Sequence, residues 1–494
     1  MGIVQRQSLK NTLVNYFGVA IGAISTLFIY PLEWELYGDI QFILSSAILF
    51  SAFLALGSHS IVNKYFPYFK KNNINGFLGL TILYCTISII ITSLVMFILS
   101  DKVLDFLEFG GLDSNKILDN LFVIYPLGVI YCYITILRAQ SFNFKRIVVP
   151  DLLTSFSLKI VLPIIIFFGY ISLINFNVAN YILIISHIII LLSMLYYLKH
   201  IGGCDFNKQI FRISFKKHKE ILNYMLYGAF NHIGNILVYK IDIVMIGLLL
   251  SSVSVGYYSI FLFLSVVVEI PTKSIFQITS PMISKAFQDD DLEEITTIYK
   301  KSAINLLIIG VFIIAMIWFN LNSFLSIMTN GDVLKTETVI FIILGATKLI
   351  DMITSVNFSI ISYSKYFRVN TLFIVILAVA NILFNLYFIS NYNIIGAAIA
   401  TGISMFLFNL LKTLFVFIKF KIHPFDTKML VPILFMIIGV LLPFIFDFIF
   451  ESMILSIVLS IVYAALYISL IYWLKLSDEI AKSIEKYLKI LFVR

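Results

Sequence analysis

Charge is what this chain has least of. Only 13% of its 494 residues are Asp, Glu, Lys or Arg, about half the ~25% of an average soluble domain. A water-soluble fold of this length needs a charged surface, so the composition excludes one. Cysteine is scarce too. Cys85, Cys132 and Cys204 lack metal-ligand spacing, and two lie inside apolar runs, so they read as packing residues. There is no P-loop, so ATP is not the direct energy source. No catalytic constellation stands out, and no loop is large enough for the extramembrane chemistry of a membrane glycosyltransferase, ligase or glycan polymerase. A cleavable signal is missing as well. Arg6 and Lys10 precede a long apolar segment without a small-residue cleavage site, so that segment is expected to stay.

What is present is apolar: 60% hydrophobic and 16% aromatic residues. A helix crosses the hydrocarbon core with about 20 apolar residues, and about fourteen stretches qualify. They lie near 10–30, 38–62, 77–99, 119–138, 151–171, 178–198, 222–249, 256–284, 302–322, 337–363, 369–390, 395–418, 429–447 and 453–474. The fold class is therefore an all-α polytopic membrane protein. The net charge of +8 is spread over short loops, which fits membrane topology rather than nucleic acid. With the N-terminus inside, 28 of the 35 Lys and Arg fall on inner loops. Lys102, Lys116 and Lys335 fall outside, and Lys159, Lys240, Lys273 and Lys348 within spans. A missed helix would scramble this alternation downstream, so N-in, C-in and an even span count are expected.

The expected organisation is a six-helix bundle over 1–198, a basic cytoplasmic linker over 199–220 and a second six-helix bundle over 221–419. Two further transmembrane helices over 420–476 and an amphipathic cytoplasmic tail over 477–494 follow. The linker lysines and arginines suit anionic lipid. The last two spans carry few polar residues and read as lipid-facing additions. In the tail, Ile480, Ile484, Leu488 and Leu491 oppose Lys482, Glu485 and Lys489, as in a helix lying on a membrane surface. A faint repeat links Asn15-Tyr16-Phe17-Gly18 and Tyr37-Gly38 to Asn231-His232-Ile233-Gly234 and Val255-Gly256-Tyr257. Each half starts inside with an even helix count, so the repeats are parallel.

The polar groups inside spans are the functional candidates, because each ionisable one costs several kcal/mol unless it faces water, a ligand or a partner. The stretch from Glu220 to Lys285 holds most of them, and they read as lining a cavity between two transporter halves. Glu269, Thr272, Lys273, Gln277 and Ser280 share one helix face between Pro271 and Pro281. Glu269 lies roughly 20 Å along its helix from Gly256, and Lys273 is at pairing distance. Lys348, Asp351, Ser355 and Ser362 form a second stripe. Asn231, Asn235 and Asp242 form a third, with Lys240 nearly opposite. Lys159, in an apolar run before Pro163, calls for an anionic ligand or a neighbour's carboxylate. Asn11, Asn15, Gly18, Gly22 and Ser25 read as a packing stripe. His59, His187 and His232 do not read as a metal site, and a proton-relay role stays open. Asn381 and Asn385 read as interhelical hydrogen bonds.

Several short motifs in order resemble polysaccharide exporters. They are Asp242-x4-Gly247 followed by Val255-Gly256-Tyr257-Tyr258-Ser259, then Pro271, then Ser280-Pro281-x-Ile283-Ser284 ahead of the acidic Asp289–Glu294. Gly396-Ala397-Ala398-Ile399-Ala400-Thr401 completes the set. The chain is similar to the O-antigen/teichoic-acid flippases, Wzx type, of the multidrug/oligosaccharidyl-lipid/polysaccharide exporter superfamily. The resemblance implies two six-helix bundles around a cavity opening alternately to each side of the bacterial inner (cytoplasmic) membrane. The implied cargo is an isoprenoid-pyrophosphate-linked oligosaccharide for O-antigen, capsule or exopolysaccharide synthesis. Lys159, Lys240, Lys273 and Lys348 would neutralise the pyrophosphate, and Asn231, Asn235 and Gln277 would take sugar hydroxyls. Asp242, Glu269 and Asp351 would bind H⁺ or Na⁺. Every intraspan cation here is lysine, where family members often place arginine. No cofactor or metal is expected. Membrane lipids, a glycan polymerase and assembly proteins are the candidate partners. The alternatives are a lipid II flippase and a multidrug or cation antiporter of the same fold.

Overall fold

Lipid offers no hydrogen bonds to a backbone, so apolar runs of this length must satisfy their own amides by coiling. In the computed structural model every regular element among the described residues, 3–207, 213–446, 452–482 and 485, is helical. Side chains at 3–13, 15, 16, 106, 107 and 109 are outside this description. The expectations for Asn11 and Asn15, for Lys208 and Arg212 in the linker, and for the tail beyond 482 apart from Glu485 therefore fall outside it.

Twelve helices among the described residues are long and apolar enough to cross a bilayer. One of them, Arg368–Phe420, has 53 residues. Unbroken, it would run about 80 Å, more than twice the ~30 Å hydrocarbon core. It breaks at Tyr392 and Asn393, the latter at φ 51°. Across the break Ser404 Oγ reaches Asn381 Oδ1 at 3.5 Å, so the two limbs fold back as a hairpin. Gly396 of the Gly-Ala-Ala motif sits in the elbow, where a Cβ would meet the Phe388 carbonyl oxygen at 2.0 Å. The expected span 38–62 is interrupted instead. Trp34–Ala55 ends at Leu56 and Gly57, both left-handed, and Ser58–Lys71 starts a new helix. The expected span 151–171 begins with a π-turn, Leu152–Phe156, ahead of Ser157–Tyr170. Residues 215–220 of the expected linker are already helical, capped by Ser214 in the helix Phe215–Leu249.

Contacts group the chain into two compact units, Met1–Tyr257 and Tyr258–Arg494. In the first, Phe215–Leu249 packs along Trp34–Ala55 and Ser58–Lys71. The two repeat motifs meet here. A Cβ on Gly38 would lie 1.7 Å from the Ser252 carbonyl oxygen, and one on Gly256 3.0 Å from that of Trp34. Trp34 and Tyr257 close the contact edge-to-face at 4.9 Å. Gly247 of the Asp242 motif lies against the Phe42 ring. Gly38→Ala must push backbone apart, and it is expected to cost about 3 kcal/mol or more. The melting point of the purified protein in detergent measures this. Gly345→Ala is the control: its Cβ would meet Ile314 at an ordinary 3.6 Å, so no loss is expected.

In the second unit, Leu292–Ile327 packs on Val339–Thr354, Leu430–Ile445 and Met453–Trp473. The last two helices are more than lipid-facing additions. A polar seam fixes them to Leu292–Ile327: Asn320 to Ser460 at 2.8 Å, Ser323 to Ser456 at 3.0 Å, Trp318 to the Val440 carbonyl at 3.2 Å and Tyr467 to the Ile308 carbonyl at 3.1 Å. Their other faces expose Leu434 and Ile437 on the first and Ile454, Ile461 and Leu466 on the second, as lipid contact requires.

Candidate functional site

The second unit gathers charge at the helices Ser252–Gln288, Val339–Thr354 and the second limb of Arg368–Phe420. Glu269 does not pair with Lys273 four residues on. Its Oε2 lies 2.6 Å from Nζ of Lys348, and the two side chains are only 20% and 11% exposed. One turn along from Lys348, Asp351 accepts a hydrogen bond from Asn409 Nδ2 at 3.1 Å. Lys412, three residues beyond Asn409, is 4% exposed, lies within electrostatic range of Asp351 and rests its Nζ 4.0 Å from the centre of the Phe408 ring. A hydrogen-bonded chain backs this group. Tyr299 donates to Asn357 at 2.6 Å, Asn357 donates to Thr413 at 2.9 Å, and Thr413 donates to the Asn409 carbonyl at 2.8 Å. Low dielectric strengthens each bond in such a chain, so the carboxylate and ammonium of Asp351 and Lys412 are held against a stiff frame. Lys273 and Gln277 stand exposed on the same face as Glu269. Ser280 bonds Tyr363 at 2.9 Å.

The first unit holds the remaining candidates. Lys159 lies over the first helix, where a Cβ on Gly18 would come 2.9 Å from its Nζ. The glycine makes room for the ammonium group. Lys159 follows the π-turn, and nearby Arg138 and Asp151 pair at 2.6 Å. On Phe215–Leu249, Asp242 is 5% exposed, Lys240 is half-buried and Asn235 is exposed. Asn235 Nδ2 donates to the Asn231 carbonyl at 2.7 Å, a bond within the helix. His232 of the same helix lies against His59, with ring centroids 4.0 Å apart and the rings tilted by 50°. His187 bonds Tyr131 at 2.9 Å. Among the described residues no three His, Cys, Asp or Glu side chains come together as a metal site.

The structure thus joins Glu269, Lys348 and Asp351 and keeps Lys273 and Gln277 on the adjoining helix face. Asn231, Lys240 and Asp242 share one helix of the first unit, with Lys159 on another. Sequence reasoning missed Lys412 by placing it on an inner loop. The signal was its position four residues after Phe408 and three after Asn409, well inside the apolar limb that ends at Phe420. It also missed Asp39, whose carboxylate bonds Ser252 and lies 3.9 Å from Lys116, a residue read as a loop charge.

This arrangement has relatives. A profile of the family described as "Polysaccharide biosynthesis protein" matches residues 71–327, just over half the chain. The chain belongs to this family. The polysaccharide biosynthesis fold seen here is shared with solved structures. The lipid II flippase MurJ in an inward closed conformation is 15% identical with a TM-score of 0.71, covering 94% of this chain and 99% of that one. A MATE protein in complex with MaL6 has 13% identity and a TM-score of 0.55, with coverage of 85% and 96%. A MOP superfamily transporter from Pyrococcus furiosus has 13% identity and a TM-score of 0.53, with coverage of 85% and 95%. At these identities the likeness is one of fold. No curated protein matches this polysaccharide biosynthesis family member by sequence.

Proposed function

We propose that the protein is a flippase for an isoprenoid-pyrophosphate-linked oligosaccharide, moving it by alternating access from the inner to the outer leaflet of a bacterial cytoplasmic membrane. The observation that carries this reading is the ammonium groups at spanning depth in a polysaccharide biosynthesis family member. With Lys412 added, the candidates number five lysines (Lys159, Lys240, Lys273, Lys348 and Lys412) against three carboxylates (Asp242, Glu269 and Asp351). That balance favours an anionic cargo over an organic cation. A pyrophosphate offers Lys348 more negative charge than Glu269 does. It exchanges for the carboxylate, with Lys273 one turn away to share the load. The released Glu269, or Asp242, then takes up H⁺ or Na⁺, and this differential binding shifts the equilibrium between states. Asn231, Asn235 and Gln277 receive sugar hydroxyls. Export of O-antigen, capsule or exopolysaccharide units fits this chemistry, with a glycan polymerase and assembly proteins downstream. A lipid II cargo carries the same pyrophosphate, and the greater fold likeness to the lipid II flippase than to the MATE protein (TM-scores 0.71 and 0.55) keeps it as the second reading.

Complementation of a flippase-deficient strain tests the reading, with surface glycan as readout and membrane protein level as control. Alanine at Lys159, Lys240, Lys273 or Lys348 is expected to lower export singly, and the quadruple variant to abolish it. Unchanged export in all five variants contradicts the assignment.

A further inference from the structure

The transport reading leaves the histidines of the spanning helices unused. His187 is satisfied as a neutral ring: Nδ1 donates to the Leu183 carbonyl at 2.7 Å and Nε2 accepts from Tyr131 at 2.9 Å. His59 and His232 differ from it. Both are half-buried, one on Ser58–Lys71 and the other on Phe215–Leu249, with ring centroids 4.0 Å apart at a 50° tilt. His59 Nδ1 is buried and has no hydrogen-bond partner among the described residues. Among those residues no carboxylate oxygen lies within 4.0 Å of either ring, and the group that acts on His59 electrostatically is His232.

The charged and titratable groups on the helices packed around the pair are engaged or distant. Lys64 lies 3.7 Å from the centre of the Tyr224 ring, and Glu220 pairs with Lys217 at 2.9 Å. Tyr84 bonds His218, the thiols of Cys85 and Cys132 contact each other, and Arg138 pairs with Asp151 at 2.6 Å. Asp39 lies toward the far end of Trp34–Ala55. Lys240 and Asp242 follow His232 by about 12 and 15 Å along their helix. An imidazolium formed here therefore has one acceptor at hand, the second imidazole, whose unprotonated nitrogen carries a lone pair. A charge-assisted N–H···N bond needs the rings nearly edge to edge, whereas they now face each other. A second proton would set two like charges about 4 Å apart, so the pair takes only one. The backbones are already in contact beside the rings. A Cβ on Gly57 would lie 2.5 Å from the Ala229 amide nitrogen and from the Met225 carbonyl oxygen, and one on Gly228, a turn before His232, would run into Ser60 Oγ. The rings cannot swing edge to edge without a shift of one helix along the other.

We propose that His59 and His232 form a proton-binding site that takes up one proton, shared between the two imidazoles, and moves Phe215–Leu249 along Ser58–Lys71 as it does so. Imidazole nitrogen is a poor ligand for a hard cation, so the site binds H⁺ and not Na⁺. On the flippase reading, from which this last step follows, it makes H⁺ a coupling ion.

Nitrogen-15 NMR of the full chain in nanodiscs, with labelled histidine assigned through His59→Gln and His232→Gln, tests the site. Between about pH 8 and about pH 5 the two rings are expected to gain one proton together, at a shared midpoint and with a ¹⁵N–¹⁵N coupling across the hydrogen bond. In either Gln variant the remaining ring is expected to titrate alone, its midpoint displaced by about one pH unit or more, without that coupling. Nitroxides at Lys71→Cys and Asn223→Cys on a Cys204→Ser background are expected to change separation by about 2 Å over the same pH step. His59→Gln/His232→Gln is expected to abolish the change. In proteoliposomes a pH gradient is expected to speed flipping in the wild type and to give a with-to-without ratio of about one in the double Gln variant. Rings that titrate independently, no proton uptake in this range, or submicromolar Zn²⁺ taking the pair in the proton's place overturns the site. A double Gln variant that keeps the gradient response overturns the coupling. A wild type that flips nothing with or without a gradient counts against the flippase reading instead, and the NMR titration still decides the site.

Discussion

Glu269→Gln is expected to cost the purified protein about 3–5 kcal/mol, the range for removing one partner of a buried ion pair. It would be read as a fall in melting point in detergent. Lys348, a residue 8% exposed, then loses the carboxylate at 2.6 Å. The loss comes from keeping its charge buried without Glu269, more than from the bond itself. Replacing both partners by methionine should therefore restore most of the stability, since well-packed apolar pairs often match buried ion pairs. Export separates structure from function here. The double methionine variant is expected to fold and yet not export, because the ammonium proposed to receive the pyrophosphate is gone. A double variant that exports normally makes the pair structural only.

The second large effect is expected at Asp351 and Lys412. Asp351→Asn leaves Lys412 buried against Phe408 and Asn409, and it is expected to cost about 3 kcal/mol or more. Lys412→Met leaves Asp351 its hydrogen bond from Asn409 and removes the cation beside it. With its cation removed beside Asp351, the Lys412→Met protein is expected to show a rise in melting point with Na⁺ larger than that of the wild type. The double variant Asp351→Asn/Lys412→Met should recover stability to within about 1 kcal/mol, giving a coupling of at least ~2 kcal/mol between the two sites. Additive losses in the cycle would show that the two charges do not act on each other.

Hydropathy carried most of the fold, because about 20 apolar residues in a row have one stable option in a bilayer. It even separated 369–390 from 395–418, which the structure joins through the elbow at Gly396. Glycine spacing marked Tyr37-Gly38 and Val255-Gly256 as a repeat only; that the two segments meet, Gly38 against Ser252 and Gly256 against Trp34, shows in the backbone alone. Partners were harder to see. Lys273 was the natural partner for Glu269 by helix spacing, and the observed partner, Lys348, lies 79 residues away on another helix. Charge pairing across helices leaves no mark in a single sequence. Lys412 lay inside the expected span 395–418 and was still counted with the inner-loop cations, because near a helix end a lysine that turns inward looks in sequence like one that turns to water. The break at Gly57 escaped because Leu56 is an ordinary helix residue by type. Only the backbone of Met225 and Ala229 pressed against Gly57 shows why the chain turns there.

The central claim is that lysine ammonium groups inside the spanning helices conduct an anionic headgroup. Its most direct test is flipping of a pyrophosphate-linked oligosaccharide lipid in proteoliposomes, comparing wild type with the variant carrying glutamine at Lys159, Lys240, Lys273 and Lys348. The account predicts that this variant, compared at equal amounts of reconstituted protein, flips no faster than protein-free vesicles. Flipping at the wild-type rate would contradict it.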